Sequence, residues 1–380
     1  MRFVQPAFRP RASKGVTLIE MLVGIAIGLI GMLVIFQTLT VWDARTRVSA
    51  SSGDAQVAGS LAMFNLERDL RLAGMGFGTS SVGELGCVVN AFDNVASGAA
   101  SFTLRPISIT DGDPTGVPDS IEVLYGNSAF FVENENFGNG TAATLAADTK
   151  YGFKRGDLAV MTDGGATCRL IQITDDTSPD KSVLAFGTGN YTDYYDGTNK
   201  PVRWNSASAS MPLIGAGNLY DLGPSPRRDV WSIDPATSTL GFINRMSTVD
   251  VNQFFGVAEG VVGMKAQYGY DADADKKITD AEWTKVQPVD WTKVRAVRVA
   301  LLIRSRDFEK PPSASDAESP KYRLSAPPTW SGSATSPFVM KNVDGTADSD
   351  VIGSPNNWRY YRYRVYEKVI PLRNVIWGQP

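Results

Sequence analysis

The sequence predicts an α+β protein: a long N-terminal helix, first a membrane span and then amphipathic, packed on an antiparallel β-rich globular head. Three observations predict it. No charged residue occurs from Met21 to Trp42. No proline occurs from Val41 to Leu72, where the good helix formers Ala, Arg, Leu, Met, Glu and Gln recur. After Gly74 the chain turns to short β-rich runs broken by Gly, Pro, Asn and Asp.

Residues 1–15 read as a leader, with Arg2, Arg9, Arg11 and Lys14 and no acid. Residues 16–42 read as a transmembrane stem. The uncharged run makes about 33 Å of helix at about 1.5 Å per residue, enough for a hydrocarbon core of about 30 Å. Cations before the span predict an N-terminus in the cytoplasm and the remainder outside. An ordinary secretory signal places small residues behind its apolar segment, where the peptidase cuts. No convincing site of that kind follows Thr40; the small residue that stands out, Gly15, lies in front. One carboxylate, Glu20, borders the span, where ionisable groups are costly and usually functional. An uncleaved signal anchor explains the apolar run and the basic leader but leaves Glu20 unexplained.

Residues 43–74 continue the helix. Val57, Leu61, Phe64 and Leu72 fall on one apolar stripe at helical spacing, and Met63, Leu66 and Leu70 on another. A helix apolar on two sides must be covered on two sides. A core helix of a single domain explains one stripe and not both. Ser51-Ser52-Gly53 is a weak point where a bend is expected, and Gly74 is the stop signal. Within the span, Gly24, Gly28 and Gly31 share a face that lets helices approach closely in lipid. Glycine is also frequent in membrane helices generally.

Residues 75–380 form the predicted head. Strands are expected at 101–104, 120–125, 157–162, 168–173 and 182–186, and most clearly at 257–270, 293–304 and 361–372. Residues 134–150 read as a loop. Residues 307–357, rich in Ser, Pro and Ala, read as an insertion too long for a plain connection. Both cysteines, Cys87 and Cys168, lie beyond the span. In an oxidising compartment they can bond, closing a loop of about 80 residues worth about 2–4 kcal/mol; two buried free thiols are the alternative.

Composition removes most catalytic options. The chain contains no histidine, and so lacks the commonest general base, proton shuttle and transition-metal ligand. It carries no nucleophile elbow, phosphate loop, dinucleotide fingerprint or zinc-spaced cysteine pair. A structural protein, not an enzyme, is expected. Loss of the leader removes four cations and takes the formal net charge from −3 to −7, which gives no reason to expect nucleic acid as the main partner.

Two segments invite a ligand. Asp271, Asp273, Asp275 and Glu282 stand at positions 1, 3, 5 and 12 of a calcium loop; Lys277 would offer its backbone carbonyl at the seventh, and Ile278 takes the apolar eighth. The sixth position wants glycine because the chain turns there with positive φ; Lys276 costs roughly 1–2 kcal/mol and adds a cation, so Ca2+, if it binds, is expected to bind weakly. The alternative is a polar loop between strands, with Thr279 and Glu282 forming a capping box. Near the C-terminus Arg359, Arg362 and Arg364 alternate with Tyr360, Tyr361, Tyr363 and Tyr366. Such a pattern binds single-stranded nucleic acid, but a half-buried strand with solvated arginines gives the same text, and the net charge favours the strand.

Lys14-Gly15-Val16-Thr17-Leu18-Ile19-Glu20, followed at once by the apolar stem, resembles the type IV pilin signature. The resemblance implies that a prepilin peptidase and methyltransferase cuts between Gly15 and Val16 and methylates Val16. Glu20, as the fifth mature residue, would help dock the subunit into a filament. Val16 departs from the usual Phe. Phe64–Gly74 followed by Gly86-Cys87, together with Val294–Ser305 and Arg364–Asn374, resembles PilW-like minor pilins, although 12 residues separate Gly74 from Cys87 where the family spacing is shorter. The family implies an inner-membrane precursor whose head faces the periplasm and then the cell surface. The sheet of the head would cover one helix stripe and neighbouring subunits, minor and major pilins, the other. The expected role is pilus assembly or initiation in support of adhesion, twitching motility or DNA uptake. A minor pseudopilin of type II secretion fits the stem equally, and a surface-binding module on a signal anchor is the reading outside the family.

Overall fold

The computed structural model describes residues 15–378 apart from 82, 96–97, 113–115, 131–133, 166, 181, 207–210 and 248–249. The leader residues Arg2, Arg9, Arg11 and Lys14 therefore lie outside the described residues. One helix, Leu18–Leu72, runs for 55 residues, continuous through Ser51-Ser52-Gly53. The chain divides into two compact units, the first ending at Ser51 and the second beginning at Ser52.

In the first unit, Leu18–Leu39 is long and apolar enough to cross a membrane, and none of it is buried. Around Gly24, Gly28 and Gly31 the helix surface is open.

In the second unit the remaining helix turns enter the main core. Met63, Leu66 and Leu70, with Ala62, pack among residues of several strands, because spacings of three and four place them on one face. Of the other stripe, Val57, Leu61 and Phe64 stay in solvent at 70%, 47% and 64% exposure, whereas Leu72, at its lower end, packs against the core. Gly74, at φ +79°, takes the left-handed conformation that ends the helix, and its N–H donates to the Leu124 carbonyl at 2.9 Å. That bond turns the chain onto a five-stranded antiparallel sheet ordered Phe254–Glu259, Thr239–Asn244, Arg227–Asp234, Ser120–Tyr125 and Ile107–Thr110.

An eight-stranded sheet carries, at its centre, Gly217–Gly223, Leu158–Thr162 and Thr167–Gln172. Val88–Asn90 pairs parallel with the last of these, and the Cys87–Cys168 disulfide, with its Cα atoms 6.0 Å apart, ties the two strands together. A four-stranded antiparallel sheet holds the late strands in the order Trp283–Thr284, Val261–Tyr270, Val294–Arg304 and Tyr363–Pro371.

Two expectations are corrected. Residues 134–150 are not a loop: Glu135–Gly138 and Thr144–Ala147 pair antiparallel, and Phe137, Leu145 and Ala147 point into a second core cluster. The abundance of Asn, Gly and Thr hid that alternation. The expected strand over 257–270 is two strands, Phe254–Glu259 and Val261–Tyr270, in different sheets. Gly260, at φ +79°, makes the break. Residues 307–357 contain turns and bends without a strand, and Trp330 and Phe338 from this stretch pack on Ala300 and Leu302. They cover one face of the four-stranded sheet with apolar rings.

Candidate functional site

At the start of the helix, Thr17 and Glu20 form a capping box. The Thr17 N–H donates to Glu20 Oε2 at 3.4 Å, and the Glu20 N–H donates to Thr17 Oγ1 at 3.3 Å. Two N–H groups that the helix cannot satisfy internally are met in this way. The Thr-x-x-Glu spacing before an apolar run is the signal for it, and the sequence reading passed over it. Val16, whose amine cleavage would free, and Gly15 precede the helix and are exposed. An exposed apolar helix, a carboxylate in its first turn and an accessible Gly–Val bond suit proteolytic processing followed by packing against other apolar helices.

The lower helix is held on the last strand by polar contacts. Glu67 accepts from both Lys368 and Arg71 and is held below the usual carboxylate range, chiefly by the Lys368 hydrogen bond. Tyr366 Oη donates to the Gln56 carbonyl at 2.9 Å, and its ring lies over Gly59, where a Cβ would overlap it. Most of the aromatic and basic residues of the C-terminal segment are engaged in structure, Arg364 being exposed. Tyr360 is buried and donates to the Ala317 carbonyl at 2.8 Å, Tyr361 is buried, and Tyr363 donates to the Trp358 carbonyl at 3.0 Å. Arg359 makes a bidentate pair with Asp348, and Arg362 pairs with Glu309 at 2.6 Å. This segment has the form of a half-buried strand with its entry turn, and these rings do not form an open stacking face.

The acidic loop leaves the end of Val261–Tyr270 and brings three of its five named residues together. One carboxylate oxygen each from Asp271, Asp273 and Asp275 lies within 4.8 Å of the others. Asp271 is fully buried while Asp273 and Asp275 are exposed. Lys276 adopts φ +67°, the positive φ required at the sixth position. Glu282 is not gathered with the aspartates. It closes the alternative capping box, accepting the Thr279 N–H at 2.8 Å and, through its other oxygen, the Ala272 N–H at 3.0 Å. Lys277 donates its N–H to Asp275 Oδ1 at 2.8 Å. Burial pushes the Asp271 carboxyl up, but hydrogen bonds from Arg295 and the Lys276 N–H outweigh it and hold the group ionised, below the usual carboxylate range.

Buried acids outside these places gave no signal in the sequence. Asp157 and Asp221 lie in the head beside neighbouring strands, with Tyr195 donating to Asp157 at 2.7 Å and Ser128 to Asp221. Burial pushes Asp157 up to about 7, with the Asp221 charge adding to it, and pushes Asp221 up to about 6.

Comparison with known proteins finds two family matches. Residues 243–374 match the family Type IV Pilus-assembly protein W, and residues 10–36 match the prokaryotic N-terminal methylation motif. The second match spans the capped start of the helix, and the first spans the strands of the four-stranded sheet. Among solved structures, a type IV-like pilin from Thermus thermophilus is similar at 11% identity, over 84% of this chain and 96% of that one, with a TM-score of 0.31. No curated protein matches the chain. The two family matches make the chain similar to PilW-like type IV pilins, a structural class of protein.

Proposed function

We propose that this PilW-like type IV pilin is a minor subunit that helps a pilus assemble or initiate, supporting adhesion, twitching motility or DNA uptake through the filament. Its precursor sits in the inner membrane with the N-terminus in the cytoplasm and the head in the periplasm. Prepilin peptidase cuts between Gly15 and Val16 and methylates Val16. The stem then leaves the bilayer for the filament, where other minor pilins and the major pilin cover it.

The observation that carries this reading is the capped, unburied apolar helix at Leu18–Leu39, with Glu20 in its first turn, directly behind Gly15. Glutamine would serve the cap equally well, so a membrane anchor alone has no need of the charge there. The exposed stripe of Val57, Leu61 and Phe64 adds to it, since it offers apolar surface for a neighbouring subunit.

Intact and N-terminal peptide mass of the membrane-extracted chain, from cells with and without prepilin peptidase, tests the reading. The expected product begins at methylated Val16 and forms only where the peptidase is present. A chain that keeps residues 2–15 in both strains would overturn it in favour of a head on an uncleaved anchor. Presence of the mature chain in sheared pili, and not in a secretion pseudopilus, separates the pilus from type II secretion.

A further inference from the structure

We propose that the Asp271–Glu282 loop is a calcium site, a property independent of the pilus reading. Asp271 carries the argument. One of its oxygens, Oδ2, is engaged by the Lys276 N–H at 3.0 Å and by Arg295 Nε at 3.1 Å. The other, Oδ1, is buried and has no hydrogen-bond partner. A buried carboxylate oxygen without a donor is costly, and this one belongs to the carboxylate that meets those of Asp273 and Asp275 within 4.8 Å. A cation among the three would satisfy it.

The loop has other devices that need no ion. The Asp275 N–H donates to Asp273 Oδ1 at 3.3 Å, the Lys277 N–H donates to Asp275 Oδ1, and Glu282 caps the turn at Asp280–Glu282. None of them reaches Asp271 Oδ1. At the sixth position the Lys276 N–H bonds the first aspartate and the residue has positive φ, as the turn there requires; Ala274, at the fourth, has positive φ as well. The donors are hard carboxylate oxygens, without histidine or thiolate, which selects Ca2+, Mg2+ or Mn2+ over softer metals. Three carboxylates from one short loop, two of them exposed and completed by the Lys277 carbonyl and water, suit the six to eight ligands of Ca2+ better than the strict octahedron of Mg2+. Arg295 and Lys276 offset part of the negative charge. The affinity then falls in the weak class of extracellular modules, roughly 10⁻⁴–10⁻³ M. Binding would tie Asp273 and Asp275 to Asp271 at the exit of Val261–Tyr270.

Tb3+ luminescence tests this on the full-length protein in detergent after removal of divalent ions. Trp283 follows Glu282 directly and serves as the sensitiser. The expected result is a saturable Tb3+ signal displaced by millimolar Ca2+ but not by equal Mg2+, together with a rise in Tm on adding Ca2+. In D273N/D275N, where both side chains are exposed and no core contact is lost, Tm in EDTA should stay at the wild-type value, and affinity should fall about tenfold or more. Failure of millimolar Ca2+ to displace Tb3+ or to raise Tm would overturn the site. So would displacement by Mg2+ at equal concentration, or an unchanged Ca2+ response in the double variant.

Discussion

Glu20 performs a local task that its place in the motif conceals. Its carboxylate caps the helix together with Thr17, and on the pilin reading it also supplies the docking charge. Glutamine serves in a capping box as well as glutamate does, so Glu20→Gln keeps the cap and removes the charge, whereas Glu20→Ala removes both. Both variants are expected to be cut normally after Gly15 and to be lost from sheared pili, as read by immunoblot of membrane and pilus fractions. Normal incorporation of the Gln variant with loss of the Ala variant would make the cap, worth about 1 kcal/mol, the operative feature. The capping box was legible in the spacing of Thr17 and Glu20. Gly59 was not legible: a helical glycine reads only as a cost of about 1 kcal/mol, and the reason for it is a Tyr366 ring far away in sequence.

Among the elements, the helix and the disulfide bear the clearest consequences. The two stripes of the lower helix were both legible from periodicity, but which of them the head covers was decided by packing. Leu66→Ala empties a fully buried position and should cost about 2–5 kcal/mol in urea unfolding. Phe64→Ala, on the exposed stripe, should change stability by no more than about 0.5 kcal/mol and yet weaken incorporation into pili. Equal loss of stability in the two would contradict the observed burial. The Cys87–Cys168 bond closes a separation of 81 residues. Replacing both cysteines by serine should lower the unfolding free energy by about 2–4 kcal/mol, with dithiothreitol producing a similar fall in the native chain and none in the variant.

For the whole molecule, pH dependence reports on the buried acids. Burial pushes the carboxyls of Asp157 and Asp221 well above the usual carboxylate range in the folded chain, the Asp221 charge adding to the shift of Asp157. Unfolded aspartate titrates at about 3.9. Above about pH 4 these two groups therefore hold more protons in the folded chain than in the unfolded one, and their contribution to stability is lost as pH rises through their raised folded values. This is opposite in sign to an ion-paired aspartate such as Asp348, which Arg359 holds below the usual range. Asp221→Asn, whose amide oxygen can still accept from Gly223 and whose NH2 can donate to Ser128, should flatten the slope. Urea unfolding at pH 5 and pH 7.5 reads the difference, and an unchanged slope in Asp221→Asn would show that other groups set it.

By itself the sequence determined the processing motif, the uncharged span, the helix through Leu72, its stop at Gly74, and the late strands at Val294–Arg304 and Tyr363–Pro371. These depend on interactions within a few residues: apolar length against a bilayer, helical spacing, a glycine free to take positive φ, alternation along a strand. Tertiary structure decided what depends on distant partners. It joined Cys87 to Cys168, divided one apparent strand at Gly260 between two sheets, and found strands in the Asn- and Gly-rich stretch at 135–147 because Phe137 and Leu145 had a core to enter. It gathered Asp271, Asp273 and Asp275 while committing Glu282 to a cap, since a carboxylate's partners are set by which N–H groups the fold brings within reach. It also buried Asp157 beside Asp221, a placement that no local pattern encodes because the two strands meet only through the sheet.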